Sequence, residues 1–98
     1  MKIDRESVVR TLKEHKPTLS KRFGVTELAL FGSFARDQNT ESSDVDILVT
    51  FNKPATSKAF FGVQFYIEDL LGCRVDLVTE KALRPEFRPQ IEREAMYV

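Results

Sequence analysis

Apolar residues near the start of the chain recur at the spacing of an amphipathic helix. The residues that share this apolar face are Val8, Val9 and Leu12. Asp4 suits a helix N-cap and Glu6 lies near the positive end of the helix dipole, and the helix should end at about His15. Pro17 suits the first turn of a second short helix, and Gly24 suits its left-handed end. This segment therefore predicts two successive helices.

The pattern then changes to an alternation that is typical of strands. Segments 26–31, 45–51 and 74–78 alternate and are rich in β-branched or apolar residues. Between the last two strands, segment 59–71 has apolar residues at helical spacing and is followed by Gly72, which suits the end of a helix. The middle of the chain therefore predicts three strands and one longer helix.

The last segment, residues 83–95, has an apolar residue at every fourth position: Leu83, Phe87, Ile91 and Ala95. Pro85 and Pro89 do not fit the interior of one straight helix, so we expect a kinked or segmented helix here. The alternation of helices and strands predicts a single domain over residues 1–98. Its expected class is α/β (α+β), with helices on one or both faces of the sheet.

The composition agrees with this fold class and excludes several others. Hydrophobic residues make up 42% of the 98 residues and charged residues 31%, which is typical of a folded domain and not of a disordered chain. Fifteen basic residues balance fifteen acidic ones, so direct nucleic-acid binding and attraction to anionic membranes are not expected. No apolar run approaches the roughly 20 residues of a membrane span. Cys73 is the single cysteine and no leader segment is visible, so a reducing cytoplasm is the expected location.

Candidate chemistry begins where the first strand ends, at Gly32 and Ser33. Glycine allows a ligand to approach the backbone closely, and the serine adds a hydroxyl beside backbone N–H groups. Residues 34–36 can form the first turn of a short helix, whose positive end favours phosphate oxygens. A glycine–serine pair by itself is a common turn, so this anion cradle depends on what lies near it.

Asp44 and Asp46 lie on either side of Val45, so both carboxylates point to the same face of the second strand. Two like charges about 4 Å apart repel by about 4 kcal/mol at an effective dielectric near 20, and a divalent cation would reverse that interaction. Magnesium takes one or two carboxylates together with waters and substrate phosphates, so an open Asp-x-Asp site suits a metal–nucleotide complex. The alternative for an isolated Asp-x-Asp pair is that both side chains are simply solvated at the start of the strand and bind no metal.

Asp76 supplies a third acid on the non-core face of the third predicted strand. If this strand pairs beside the second one, its carboxylate converges with those of Asp44 and Asp46. Such a cluster could bind two metal ions, or Asp76 could accept the proton of an attacking hydroxyl.

These residues resemble a known signature. Phe31, Gly32 and Ser33, followed by the spacer and then by Asp44-Val45-Asp46-Ile47, are similar to the motif of polymerase-beta-like nucleotidyltransferases. The wider segments GSFAR, SSDVDILV and VDLV look like those of the minimal nucleotidyltransferases, and the resemblance covers nearly the whole chain.

The resemblance implies a small mixed β-sheet flanked by helices. It also implies the transfer of AMP from ATP, with two Mg²⁺ ions as the cofactor. The implied partner is a HEPN-type toxin, which is inactivated when AMP is attached to one of its tyrosine hydroxyls. This chain would therefore act as an antitoxin. Carried over to this sequence, Gly32 and Ser33 would bind the triphosphate with help from Arg36. The metal-binding and catalytic carboxylates would be Asp44, Asp46 and Asp76. The family commonly has glycine where this chain has Asp37, which adds a negative charge near the expected triphosphate.

Two other functions stay open at this point. The chain could be a binding module that covers a toxin without transferring anything, or a nucleotidyltransferase for a small molecule such as an aminoglycoside. Three residue predictions also remain to be compared with the structure. We expect His15 to be solvated or to stabilise the helix dipole and not to be a ligand, and Cys73 to be a small packed residue. The aromatic residues at 60, 61, 65 and 66 should be mostly core, with some of them as an alternative partner-facing patch.

Overall fold

A computed structural model describes residues 3–98 of the chain. It contains four helices, α1 to α4, four strands, β1 to β4, and one 3₁₀ turn. In chain order these are α1 (Arg5–Phe23), β1 (Val25–Phe31), α2 (Gly32–Ala35), β2 (Val45–Phe51), α3 (Ser57–Leu71), β3 (Val75–Thr79), the 3₁₀ turn (Glu80–Ala82), α4 (Arg88–Glu94) and β4 (Met96–Tyr97).

The first helix differs from the prediction because it does not break near Pro17. Asp4 is the N-cap as expected, and it forms a capping box with Ser7. The chain remains helical from Arg5 to Phe23 with Pro17 inside it. An interior proline removes one backbone hydrogen bond, but here Leu12 and Leu19, on either side of it, are both fully buried. Their burial outweighs the local preference for a break, so the two predicted helices are one.

The sheet is mixed, with the strand order β3-β2-β1-β4. β1 pairs antiparallel with β2 and β4, whereas β2 and β3 are parallel. The predicted mixed sheet with flanking helices is confirmed. The fourth strand was not predicted, because two residues are too short to show an alternating pattern and pair only through their tertiary position.

The two faces of the sheet are covered unequally. On one face α1 and α3 enclose the main core, which includes Leu30, Ile47 and Val63. On the other face a smaller cluster of Ala29, Leu48 and Leu83 packs under the C-terminal segment. Side chains of β2 alternate between these faces, so Asp46 lies on the less covered one.

Helix α3 starts after the cap residue Thr56 and ends at Gly72, as its pattern predicts. Gly62 lies where the helix meets α1, and a Cβ atom there would come within 2.6 Å of the Phe23 ring. The expectation that the aromatic residues are mostly core is wrong for Phe61 and Phe65, which are 50% and 60% exposed and stack on each other. The helix buries only the side that faces the sheet and α1, and these two rings lie on its opposite side.

Side chains of α3 also cap part of the edge strand. The Gln64 side chain donates to the carbonyl of Val75, and the backbone N–H of Val75 donates to Glu68. These bonds satisfy outward-facing backbone groups at the start of β3, which reduces its tendency to pair with another chain.

The C-terminal segment is segmented as predicted. The 3₁₀ turn, Glu80–Ala82, precedes buried Leu83, and α4 begins only at Arg88. Arg88 donates to the backbone carbonyl of Glu80, which ties the two short helical pieces together.

Two further residue predictions have different outcomes. Cys73 is half-buried and packs against the core, as expected. His15 is not simply solvated, because it is half-buried and its Nδ1 lies 2.9 Å from the hydroxyl of Tyr66. Within residues 3–98 no helix combines the length and the apolar character that crossing a bilayer requires.

Candidate active site

The turn at Gly32 brings the end of β1 against a carboxylate of β2. Gly32 has a left-handed backbone conformation with φ 73°, and it is the first residue of α2. The side chain of Asp46 lies over its Cα, so that a Cβ atom on Gly32 would be 2.9 Å from Cγ of Asp46 and closer still to its Oδ2. Glycine is therefore required here both for its φ and for the space that Asp46 occupies.

Asp46 and Asp76 are neighbours across the parallel pair of β2 and β3. Paired residues of adjacent strands point to the same face, so both carboxylates lie on the less covered side of the sheet. The pKa of Asp46 is raised to about 6, mainly by burial and then by the negative charges of Asp76 and Asp44 and a hydrogen bond with the Asp76 carboxyl. The structure thus brings these three predicted acids into mutual electrostatic contact.

Asp44 has a more open position than Asp46. It is exposed and directly precedes β2, at the point where the backbone N–H of Val45 donates to the carbonyl of Arg74. Asp76 is also exposed, on the edge strand β3. Of the three acids, Asp46 is therefore the inner one and the other two lie on its solvent side.

The donor atoms of this cluster suit a magnesium ion. They are carboxylate oxygens, which hard cations prefer, and their mutual repulsion is relieved by a positive charge. Among residues 3–98 no three His, Cys, Asp or Glu side chains already stand in the arrangement of a metal site. Mg²⁺ requires only one or two carboxylates together with water and phosphate oxygens, so the Asp46 and Asp76 pair fits it without a preformed three-residue cage.

Arg36 lies beside this cluster and forms an ion pair with Glu94, a residue that the sequence pattern did not indicate. Its guanidinium lies 3.0 Å from the Glu94 carboxylate of α4, and its Nε donates to the Gln38 side chain over 3.3 Å. The positive charge of Arg36 also lowers the pKa of Asp46, against the larger effects that raise it. Glu94 lies 58 positions away in the chain, so no local signal could have indicated this pair.

The turn that contains Ser33 and Asp37 is closed by backbone hydrogen bonds. The N–H of Gln38 donates to the carbonyl of Ser33 over 2.8 Å, and the N–H of Asp37 donates to the carbonyl of Phe34. Asp37 has φ 58°, a left-handed conformation that suits glycine and that aspartate tolerates better than most residues. The departure at this position therefore keeps the same backbone shape.

Comparison with known proteins decides the family. The profile of the nucleotidyltransferase domain family matches residues 12–98. This chain belongs to the nucleotidyltransferase domain family. The prediction that it is a nucleotidyltransferase enzyme is thereby confirmed.

Two relatives of this nucleotidyltransferase agree with the minimal type. The protein adenylyltransferase MntA of Thermococcus cleftensis is 42% identical over 93 residues, which cover 95% of this chain and 94% of that protein. A solved structure assigned as a minimal nucleotidyltransferase is 38% identical, with a TM-score of 0.81 over 96% of this chain and 95% of the other. The predicted resemblance to minimal nucleotidyltransferases is confirmed.

More distant structures share the fold of this nucleotidyltransferase. One is a toxin–antitoxin crystal structure with AMP-PNP, at 19% identity and a TM-score of 0.69, covering 97% of this chain and 72% of the other. Another contains a tri-AMPylated HEPN toxin of Shewanella oneidensis in complex with its MNT antitoxin, at 18% identity and a TM-score of 0.59, covering 95% and 66%. At these identities the likeness concerns the fold alone.

Proposed function

We propose that residues 1–98 form a single Mg²⁺-dependent adenylyltransferase domain that transfers AMP from ATP to a tyrosine hydroxyl of a HEPN-type toxin in the cytoplasm, and so acts as its antitoxin. The observation that carries this proposal is the position of Asp46, between the phosphate-side turn at Gly32 and the carboxylate of Asp76. The contact between Gly32 and Asp46 thus joins the expected triphosphate site to the carboxylates at which the acceptor would attack.

The relatives support the choice of nucleotide and of acceptor. The MntA relative is a protein adenylyltransferase. A structure with the same fold was solved with AMP-PNP, an ATP analogue, and another was solved with an AMPylated HEPN toxin.

The residues act as follows. Backbone N–H groups at Gly32 and Ser33 bind the phosphates, and Arg36 adds a positive charge beside them. Asp44, Asp46 and Asp76 would hold magnesium, which would neutralise phosphate charge and stabilise the charge that develops during transfer. Positioning and charge stabilisation therefore provide most of the catalysis.

The transfer of AMP also requires that the tyrosine hydroxyl give up its proton to the enzyme. The tyrosine oxygen forms a bond to the α-phosphorus while the bond from that phosphorus to the β-phosphate oxygen breaks, and pyrophosphate leaves. Asp76 is exposed on the edge strand and accepts the hydroxyl proton. Its exposure allows a tyrosine on another protein to reach it.

Intact-mass spectrometry of the partner tests this function. The HEPN-type protein, mixed with this chain, ATP and Mg²⁺, should gain AMP, and Asp44→Asn or Asp46→Asn should abolish the gain. The control is Asp69→Asn, the same chemical change at an exposed position on α3. A partner that stays unmodified but is inhibited equally by wild type and by both site variants would identify a binding module instead, and AMP found only on an aminoglycoside would identify a small-molecule enzyme.

A further inference from the structure

Two phenylalanines are exposed on the outer side of α3. Phe61 and Phe65 are 50% and 60% exposed, and their rings stack with the centroids 6.3 Å apart and an angle of 24° between the ring planes. They are one helical turn apart, so the two rings form one continuous apolar surface. Contiguous apolar surface of this kind is typical of interaction sites, whereas single exposed apolar residues are common everywhere.

The charged residues on either side of these rings have opposite signs. Lys58 lies three positions before Phe61, Asp69 lies four positions after Phe65, and both are exposed. Spacings of three and four place residues on the same side of a helix. The ion pairs among residues 3–98 include neither Lys58 nor Asp69. We call the resulting row of residues the α3 stripe: Lys58, Phe61, Phe65 and Asp69.

The order of residues in the α3 stripe is self-complementary. A two-fold axis through the middle of the stripe reverses the direction of the helix in a second copy, and it sets Phe61 opposite Phe65 of that copy. Because the two outer spacings differ by only one residue, the same axis sets Lys58 opposite Asp69 with a mismatch of about 1.5 Å or less. Aromatic rings then meet in the centre and opposite charges meet at both ends, as in a helix–helix interface with an apolar core and a polar rim.

The charges also fix the direction of the pairing. A parallel arrangement of two α3 helices would bring Lys58 against Lys58 and Asp69 against Asp69. Like charges in contact destabilise an interface, so the antiparallel arrangement is favoured.

The neighbouring edge of the sheet offers a second copy little opportunity for strand pairing. Gln64 and Glu68 lie beside Phe61 on α3 and bond the outward-facing carbonyl and N–H of Val75 at the start of β3. Backbone groups that are already bonded do not pair with a new strand. The helix surface is therefore the part of this side that a second copy can bind.

The AMP acceptor needs the other side of the molecule. α3 covers the main core, whereas Asp76 is exposed on the opposite, less covered face of the sheet. A tyrosine that reaches Asp76 belongs to a protein on that face. The α3 stripe is thus available to a different occupant, and a second copy of this chain already has the matching rings and charges.

From this arrangement we propose that two copies of this chain form a symmetric dimer through their α3 stripes, with the two helices antiparallel. The proposal goes beyond the proposed function, because it uses none of the phosphate-binding or metal-binding residues, and both active sites remain open in the dimer. One helix side is smaller than the roughly 800 Å² that each partner buries in a standard interface, so we expect a Kd in the micromolar range.

Sedimentation velocity of the full chain, from about 1 μM to about 500 μM, tests the dimer over this range of affinity. The mass should rise from one chain toward two with concentration. Phe65→Gln should weaken the association at least about tenfold, because a central aromatic residue dominates the affinity of an interface. The matched control is Phe87→Gln, the same change at a ring that is 51% exposed outside the α3 stripe, and it should keep the wild-type Kd.

A charge exchange tests the antiparallel register. Lys58→Glu and Asp69→Lys should each weaken the dimer about fivefold, because each variant sets like charges together at both ends of the helix pair. The double variant should return to within about twofold of the wild type. Lys58 and Asp69 are about 16 Å apart along α3, so this recovery cannot come from a pair within one chain. Both substitutions also suit the helix dipole, so the chain should remain folded.

Three results would overturn the proposal. One is a single-chain mass at every concentration, and another is a dimer whose Kd does not respond to Phe65→Gln. The third is a double charge variant that associates no better than the single variants. A monomeric chain in which Phe65→Gln weakens binding of the HEPN-type protein would show that the α3 stripe binds that partner instead of a second copy.

These measurements contain neither ATP nor Mg²⁺, so they separate the dimer from the proposed function. AMP transfer by a chain that stays monomeric would leave the proposed function in place and remove the dimer. A dimer with the expected response to the charge exchange, but with no AMP transfer, would do the reverse.

Discussion

The carboxylate of Asp46 fills the space in which a Cβ atom on Gly32 would stand. This contact joins β1 to β2 at the end of their antiparallel pair, where Phe31 is opposite Asp46. The backbone of the proposed phosphate-binding turn and the inner acid of the proposed metal site are thus in van der Waals contact. Any side chain at position 32 would displace that acid.

Gly32→Ala should therefore abolish AMP transfer with only a moderate loss of stability. The alanine must adopt φ 73°, at a cost of about 1–2 kcal/mol, and it must also push Asp46 aside. Gly24→Ala is the matched control, because Gly24 has φ 78° and its Cβ would meet only the end of the Asn52 side chain, away from the site. Urea unfolding should show similar losses for both variants, whereas only Gly32→Ala should lose transfer. Wild-type transfer in Gly32→Ala would contradict the role of this contact.

Asp46→Asn should stabilise the metal-free protein at neutral pH although it removes activity. The native pKa of Asp46 is about 6 and its ordinary value is 3.8, so between these values the native state holds a proton that the unfolded state has lost. The free energy of unfolding of the wild type therefore falls as pH rises from about 4 to 6, by about 1–2 kcal/mol after solvent screening is discounted.

Thermal unfolding in EDTA across pH 4 to 8 measures this effect. The Asp46→Asn variant should melt above the wild type at pH 7 and close to it near pH 4. Added Mg²⁺ should narrow the difference at pH 7 by stabilising only the wild type. Equal melting temperatures at pH 7 in EDTA would show that folding does not raise the pKa of Asp46.

Asp37→Gly should raise stability and lower the KM for ATP. Asp37 has φ 58°, which glycine adopts without steric cost, so the gain in unfolding free energy should be up to about 1 kcal/mol. Asp37→Asn removes the same negative charge but keeps a side chain at this φ. It should therefore lower the KM without the gain in stability, and a KM that changes in neither variant would show that the Asp37 charge does not reach the triphosphate.

Arg36→Gln should raise the pKa of Asp46 further, because the Arg36 charge lowers it in the wild type. The ion pair that Arg36 forms with Glu94 is partly exposed, so stability should change by no more than about 1 kcal/mol. Carbon-detected NMR titration of the aspartate carboxyls measures the pKa, and Arg93→Gln, an exposed change on α4, is the control. An Asp46 pKa that is the same in both variants would place Arg36 out of electrostatic reach.

Much of the fold could be predicted from local pattern. The strands that carry the acids, the long helix α3 and the ends of α1 and α3 at Gly24 and Gly72 follow from periodicity and from the special conformation of glycine. These features depend on residues a few positions apart, whose preferences act directly on the backbone. The same applies to Asp46, since alternation within β2 sets its face, whereas Asp44 lies just before the strand.

The errors came where distant residues compete with local preference. Pro17 stays inside α1 because Leu12 and Leu19 are buried by other elements, and β4 exists only because Met96 and Tyr97 reach β1. Phe61 has the character of a core residue, but it lies on the side of α3 away from the sheet and is 50% exposed. None of these outcomes has a signal in its own neighbourhood.

Residue types and their spacing were sufficient to predict a metal–nucleotide site with three acids, because strand alternation and the preference of hard cations for carboxylate oxygens are properties of short segments. The parallel register that sets Asp46 opposite Asp76, the contact of Asp46 with Gly32 and the pairing of Arg36 with Glu94 depended on how the folded chain packs. Each of these joins segments that are far apart in the chain. The packing of the whole core brings these segments together in space, and no short stretch of sequence contains that information.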